Sequence, residues 1–220
     1  MPRRPRIVVP GAPHHVTQRG NRRQQTFFTH WDYRYYLELL ERSCEKYEVA
    51  LWAYCLMPNH VHLILVPGEA ANLSQVVGET HKKFAARINQ RHDWKGHLWQ
   101  SRYASFAMDE TWLLMAARYI ELNPVRAKIV NKPEDYRWSS AGAHSNGSLD
   151  RLSSSDPLTE LVPDWAAFLL DEPVEAVHPN MNKHEAAGYP VGSDVFIQKA
   201  ELLTGRSLKA LRRGRPPKKR

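Results

Sequence analysis

Cysteine is nearly absent: Cys44 and Cys55 are the only two in 220 residues, too few for the disulfide framework of a small secreted domain. One falls in a helical pattern and the other among the apolar residues of a strand, so both read as inert buried thiols. Long hydrophobic runs are missing too. None approaches the roughly 20 residues that cross a bilayer, and no apolar segment follows the basic, proline-containing start, so neither a membrane span nor a secretory signal is visible. A cytoplasmic protein is expected. Acidic groups are absent from residues 206 to 220, which carry eight Lys and Arg. Residues 142 to 205 reverse the balance with 10 Asp and Glu against 3 Lys and Arg, whereas residues 1 to 141 hold 20 basic groups against 13 acidic ones. A basic main body and a basic tail favour a phosphate polymer through steering and counterion release. The plainer alternative is a solubilising surface.

The composition is globular, with 42% hydrophobic and 25% charged residues, and the length fits one principal domain with a small appended lobe. His14 to Gln18 reads as a short strand, followed by a turn rich in guanidinium groups at Arg19, Gly20, Asn21, Arg22 and Arg23. Tyr33, Tyr36, Leu37, Leu40 and Cys44 recur at helical spacing over residues 31 to 47. Two apolar runs, 49 to 57 and 61 to 66, are linked only by Pro58 and Asn59 and its neighbour, so they read as an antiparallel pair. Asn72 with Gln75 resembles a capping box for a second helix of about 18 residues, whose outer positions Lys82, Lys83 and Arg87 form a basic strip that either tracks a nucleic-acid backbone or is solvated surface. A strand near Arg102 to Ala107 and a helix capped by Asp109 follow. The order β-α-β-β-α-β-α begins as the ferredoxin-like, split βαβ pattern, an α+β fold with an antiparallel sheet covered by helices on one face. The other face is expected to stay open, with an additional helix bringing Tyr119 across it.

Residues 139 to 163, rich in Ser, Gly, Asp and Pro, read as a linker, so the expected division is a catalytic domain over 1–140, an acidic, partly helical appendage over 141–205, and a flexible basic tail over 206–220. The tail residues Arg212, Arg213, Arg215, Lys218 and Lys219 surround a Gly-Arg-Pro-Pro stretch of the extended basic type that lies in a DNA minor groove.

His60 and His62 carry the strongest chemical signal. Two imidazoles two residues apart share one face of a strand, which is metal-ligand spacing. Asn123 adds an oxygen one helical turn after Tyr119, and the N, N, O set suits Mg²⁺ or Mn²⁺ with waters completing the shell. Imidazole tilts the balance to Mn²⁺ without removing Mg²⁺. A metal that polarises a phosphate beside a tyrosine allows the phenolate to attack phosphorus, expelling a 3′-OH and leaving a 5′-phosphotyrosine. The neutral alternative is a tyrosine that fills the edge of the core. Trp52, Trp99 and Trp138 read as core aromatics, and nothing in the spacing of His14, His15, His81, His92 or His97 selects one of them for chemistry.

Four stretches in order resemble the REP-associated tyrosine transposases of the HUH single-strand nuclease superfamily: Pro13-His14-His15-Val16-Thr17-Gln18-Arg19-Gly20-Asn21-Arg22-Arg23, Met57-Pro58-Asn59-His60-Val61-His62-Leu63-Ile64, Trp99-Gln100-Ser101-Arg102-Tyr103 and Tyr119-Ile120-Glu121-Leu122-Asn123-Pro124-Val125-Arg126-Ala127. The resemblance spans roughly residues 5 to 140. It implies that His60 and His62 are metal ligands, that Asn123 is the third, that Tyr119 is the single nucleophile, and that Arg19, Asn21, Arg22 and Arg23 touch a short guide sequence beside a hairpin. Arg102 joins the expected DNA contacts. The implied partner is single-stranded and hairpin DNA at repetitive extragenic palindromes, with a monomer favoured, no small-molecule cofactor beyond the metal, and a nucleoid-associated location. A hairpin-binding regulator without catalysis is the alternative, and a metal-dependent hydrolase with water as nucleophile is a third reading.

Overall fold

Alternation along β1 (His14–Arg19), β2 (Val49–Met57), β3 (His60–Pro67) and β4 (Ala104–Ala107) gives the sheet two faces of different character. In the computed structural model, which describes residues 5–147, 152, 157–171 and 178–208, the strands are ordered β2-β3-β1-β4 with every neighbouring pair antiparallel. With α1 (His30–Lys46) between β1 and β2 and α2 (Ala70–His92) between β3 and β4, this is the expected split βαβ arrangement. Val16, Leu51, Tyr54, Leu56, Val61, Leu63 and Leu65 face these two helices and pack against Tyr36, Leu40, Leu73, Val77, Phe84 and Ile88. Thr29 and Asp32 close a capping box at the start of α1. The second helix begins three residues before the position read from sequence, with Glu69 as its N-cap, so the Asn72–Gln75 pair lies inside it and caps nothing.

One irregularity decides what the other face presents. The β2–β3 register slips between Leu51 and Ala53, so Trp52 is an extra residue that reverses the alternation of β2. Beyond it Ala53, Cys55 and Met57 turn away from α1 and α2 and join Ile64 and Phe106.

That second face is not open. α3 (Glu110–Glu121) and α4 (Asn123–Arg126) lie on it, and so do side chains from α6 (Leu158–Leu161), α7 (Trp165–Leu170) and α8 (His178–Ala187), which follow the short α5 (Ala141–Asn146). Leu158, Trp165, Leu169, Met181 and Val191 are buried in the same apolar cluster as Ile64, Phe106, Leu113 and Ile120. Residue 140 is therefore no boundary of the core. Glu121, wholly buried, ties the two parts together by accepting hydrogen bonds from Ser140 Oγ (2.6 Å), His144 Nδ1 (2.6 Å) and Trp165 Nε1 (2.7 Å). An exposed apolar sheet face is unfavourable in water, which is why the expected appendage folds back to cover it. α9 (Asp194–Thr204) packs through Ala200 on the leader residues Ile7 and Val9. Arg212, Arg213, Arg215, Lys218 and Lys219 lie outside the described residues. Among the described residues no helix is long and apolar enough to cross a membrane. Burial pushes the Cys44 thiol up to about 12 and the Cys55 thiol well above its ordinary value, in keeping with inert thiols.

Candidate active site

On β3 the odd residues Val61, Leu63 and Leu65 enter the core under α1 and α2, so His60, His62 and Ile64 point to the face that carries α3. The rings of His60 and His62 are 4.9 Å apart at 79°. Each has one nitrogen engaged. Asn59 Oδ1 lies 2.6 Å from His60 Nδ1, while Asn59 Nδ2 donates to the carbonyl of Arg23 at 2.9 Å. His62 Nδ1 lies 3.0 Å from His15 Nε2. His62 Nε2 is buried with no hydrogen-bond partner. A buried nitrogen left in that condition is unfavourable unless something coordinates it. Burial, with the Arg19 charge adding, lowers His60 to about 3, and burial, with His60, His15, Arg19 and Arg126 close by, holds His62 well below its usual value. Both rings are therefore neutral near pH 7, the form that binds a metal.

α3 delivers the tyrosine. Asp109 caps its start by accepting from the Trp112 N–H at 3.1 Å, and its buried stripe of Leu113, Ala116, Ala117 and Ile120 seats it on the sheet. Tyr119, near the end of that stripe, stands edge-on to His62 with ring centroids 5.6 Å apart and edge-on to His15 at 6.2 Å. Burial raises its hydroxyl pKa, and the Glu185 charge adds to this, whereas a hydrogen bond from Arg126 and the charges of Arg126 and Arg19 pull the other way. The Arg126 guanidinium carbon is 5.1 Å from the tyrosine ring centroid, and Arg126 Nη1 is buried without a partner. Asn123 follows one turn later, buried, across the helical junction at Leu122, and its Nδ2 is unpartnered. Because amide orientation is assigned from neighbours, the same position serves equally for the amide oxygen.

The site also holds residues that the sequence reading passed over. His15 from β1 and Glu185 from α8 join His62, one donor atom of each lying within 4.8 Å of the others. Burial pushes the Glu185 carboxyl up to about 7 against the Arg19 charge and a Thr17 hydrogen bond. Strand alternation puts His15, Thr17 and Arg19 on one face of β1, and the register places Thr17 opposite His62 and Arg19 opposite His60. That signal is readable once the pairing of β1 with β3 is known. Arg126 carried a signal too, at i+7 from Tyr119 on the same helical path. Glu185, distant in sequence, carried none. Imidazole nitrogen with amide or carboxylate oxygen is a donor set that Mn²⁺ accepts well and Mg²⁺ more weakly, so the residues fit such an ion.

The basic residues divide into two places. Arg19, Asn21, Arg22 and Arg23 sit at the end of the sheet where β3 begins, and Arg22 and Arg23 are exposed with positive φ of 51° and 60°. Arg102 is exposed in the approach to β4, two residues after Gln100, whose N–H donates to the Arg19 carbonyl at 2.9 Å. Beside this turn is a polar hollow of about 350 Å³, lined by Asn21, Gln24, Asn89, Trp94, Lys95, Gly96 and His97. Lys82, Lys83 and Arg87 are exposed on α2, which packs on the opposite face of the sheet from Tyr119. Lys83 Nζ is 2.6 Å from Glu79, and the Arg87 guanidinium lies 4.3 Å over the Tyr35 ring.

Residues 9–123 match the family model described as transposase IS200 like, a span of more than half the chain. A solved structure described as a REP-associated tyrosine transposase bound to a REP hairpin is similar in fold, with 20% identity over 72% of this chain and 94% of that one and a TM-score of 0.54. Another, described as a candidate transposase from Deinococcus radiodurans, has 21% identity over 54% of this chain and 95% of that one, with a TM-score of 0.39. Among curated proteins, none matches the chain significantly. The chain belongs to the IS200-like transposase family and is an enzyme of that class, acting on DNA.

Proposed function

We propose that the protein cuts and rejoins single-stranded DNA beside hairpins of repetitive extragenic palindromes, through a 5′-phosphotyrosine on Tyr119. The observation that carries this reading is the placement of Tyr119 edge-on to His62, 5.6 Å between ring centroids, where His62 Nε2 is buried and unpartnered. His60, His62 and Asn123 would hold the Mg²⁺ or Mn²⁺ ion. When bound, that ion supplies Lewis-acid polarisation of the scissile phosphate.

The chain's own groups do the rest. Arg126 hydrogen-bonds the tyrosine hydroxyl and so favours its phenolate, and its unpartnered Nη1 is available to a phosphate oxygen. Attack of the Tyr119 oxygen on phosphorus, its phenolic proton passing to solvent, breaks the bond to the 3′ oxygen, which takes a proton from solvent and departs as a 3′-OH. The ester conserves the energy of the broken bond, so the returning 3′-OH rejoins the strand without nucleotide hydrolysis. The proximity of Tyr119 to the histidines within one chain supports a site complete in a monomer.

Arg19, Asn21, Arg22, Arg23 and Arg102 contact the unpaired guide bases, whose exposed edges and faces suit arginine. Lys82, Lys83 and Arg87, on the other layer, contact backbone away from the cut, and residues 206–220, with Arg212, Arg213, Arg215, Lys218 and Lys219, add affinity for duplex DNA. Such a substrate implies a cytoplasmic, nucleoid-associated protein. The test is incubation of end-labelled hairpin DNA with Mn²⁺ or Mg²⁺, followed by a denaturing gel. His60→Ala and His62→Ala should each lose the metal-stimulated cleavage by at least about a hundredfold while still binding the hairpin. Hairpin binding by the unmodified protein with no cleavage under any metal would favour the regulator instead.

A further inference from the structure

A histidine that holds a metal through one ring nitrogen is oriented by whatever the other nitrogen meets. For His60 that partner is Asn59, and for His62 it is a second imidazole. His15 Nε2 and His62 Nδ1 are 3.0 Å apart, the ring planes differ by 10°, and the centroids are 5.2 Å apart. The nitrogen contact occupies most of that separation. The rings therefore lie end to end in nearly one plane, which is the geometry of an N–H···N hydrogen bond and not of face-to-face stacking. His15 is wholly buried. Its other nitrogen, Nδ1, has no hydrogen-bond partner and faces Glu185 Oε1 at 3.8 Å, and that oxygen is likewise buried and unpartnered. Glu185 belongs to α8, beyond the residues 9–123 that match the family.

Counting protons fixes the direction of the chain. An ion on His62 Nε2 requires a lone pair there, so the neutral ring carries its proton on Nδ1. That N–H donates and His15 Nε2 must accept, which leaves the His15 proton on Nδ1, pointed at the carboxylate. We propose that His15 and Glu185 form a positioning chain, His62 Nδ1–H to His15 Nε2 and His15 Nδ1–H to Glu185, which presents His62 Nε2 to a divalent cation. The inference rests on the reading of His60 and His62 as metal ligands. His15 Nδ1 and Glu185 Oε1, 3.8 Å apart, would form the outer link of this chain with a bound cation at His62 Nε2. Direct ligation by His15, His62 and Glu185 together is the competing arrangement. It is disfavoured because His15 Nε2 and His62 Nδ1 point at each other along their 3.0 Å contact and so do not both aim a lone pair at one ion. The C-terminal part of the chain thus contributes to the metal site as well as to the core.

The test is calorimetric titration of the full-length protein with Mn²⁺, beside nitrogen-15 NMR of the histidine side chains with and without Mg²⁺. His15→Phe keeps the bulk and removes the acceptor, and should weaken Mn²⁺ binding about 10- to 100-fold, the usual effect of losing such a partner. His15→Gln, whose amide oxygen can accept from His62, should restore most of the affinity, and Glu185→Gln should weaken it about tenfold. The NMR spectra should show His15 and His62 both protonated on Nδ1 in the Mg²⁺-loaded protein. Unchanged Mn²⁺ affinity in a folded His15→Phe variant, or a proton on His62 Nε2, would overturn the chain, and unchanged affinity in Glu185→Gln would remove its carboxylate end. Should His15→Phe not fold, the Gln variants and the spectra of the unmodified protein decide the matter. An unmodified protein that binds no Mn²⁺ would overturn the metal reading itself, and this inference with it.

Discussion

Replacing Glu121 by leucine should destabilise the whole protein and not merely loosen its C-terminal part. The carboxylate accepts from Ser140, His144 and Trp165 and is inaccessible to solvent. Leucine fills similar volume but accepts nothing. Ser140 Oγ keeps other partners in the backbone of Tyr54, so the main losses fall on Trp165 Nε1 and His144 Nδ1. Two buried donors stripped of their acceptor cost about 1–3 kcal/mol each, so the expected loss is about 2–6 kcal/mol. Removal of a buried carboxylate returns part of this, which favours the lower half of the range. Glu121→Gln should cost less, about 1–2 kcal/mol, because one amide can serve all three groups if the Ser140 hydroxyl and the His144 tautomer switch roles. Urea unfolding followed by tryptophan fluorescence and far-ultraviolet circular dichroism measures both. A single shifted transition with coincident probes is expected, since Trp165 shares a cluster with Ile64 and Phe106 of the sheet. A loss below about 1 kcal/mol in the leucine variant, or two separate transitions, would refute the view that Glu121 fastens α5 and α7 to the catalytic layer through His144 and Trp165.

Gly20→Ala is expected to damage recognition, because an added Cβ would meet the Gln24 carbonyl oxygen and come within 2.7 Å of Thr26 Cγ2. The turn carrying Asn21, Arg22 and Arg23 must shift, at a cost of about 1–3 kcal/mol, and a fluorescence anisotropy titration should show weaker binding to single-stranded hairpin DNA. Unaltered binding would contradict the role given to that turn. Stability should also fall in acid. Burial lowers His14 to about 4 and His81 to about 3 from the ordinary 6.5, so the unfolded chain binds protons that the folded chain refuses as pH drops below 6.5. Each contributes up to about 1.4 kcal/mol of lost stability per pH unit until the folded value is reached. His14→Gln and His81→Gln should flatten the profile of unfolding free energy between pH 6.5 and 4, and an unchanged slope would count against their neutral burial.

Much of the catalytic layer was legible because its patterns are local. His60 and His62 stand two apart in an apolar strand, Tyr119 and Asn123 stand four apart on a helical path, and the two-residue link between β2 and β3 leaves little choice of pairing. Three things were not legible, each for a physical reason. Trp52 reverses the alternation of β2, and a bulge leaves no mark in composition. The cover on the second sheet face comes from Leu158, Trp165, Leu169 and Met181, spread over short helices without a sustained stripe, so their joint burial depends on a surface that exists only after the sheet has formed. Glu121 and Glu185 look like ordinary helix charges until the folded chain buries them, and His15 acquires its place only through the register that sets β1 beside β3. A stretch rich in Ser, Gly, Asp and Pro read as a linker to an acidic appendage, yet the apolar residues beyond it, Leu158, Trp165, Leu169 and Met181, are buried in one cluster with Ile64 and Phe106 of the sheet.

In the proposed reaction Tyr119 becomes covalently joined to the 5′ phosphate of the cut strand. Mass spectrometry of tryptic peptides, after reaction of the protein with hairpin DNA and Mn²⁺ and nuclease trimming of the DNA, tests it most directly. A nucleotide is expected on the peptide containing Tyr119, absent from Tyr119→Phe, with a free 3′-OH on the released strand. Cleaved DNA accompanied by no modified peptide, or an adduct that persists in Tyr119→Phe, would contradict it.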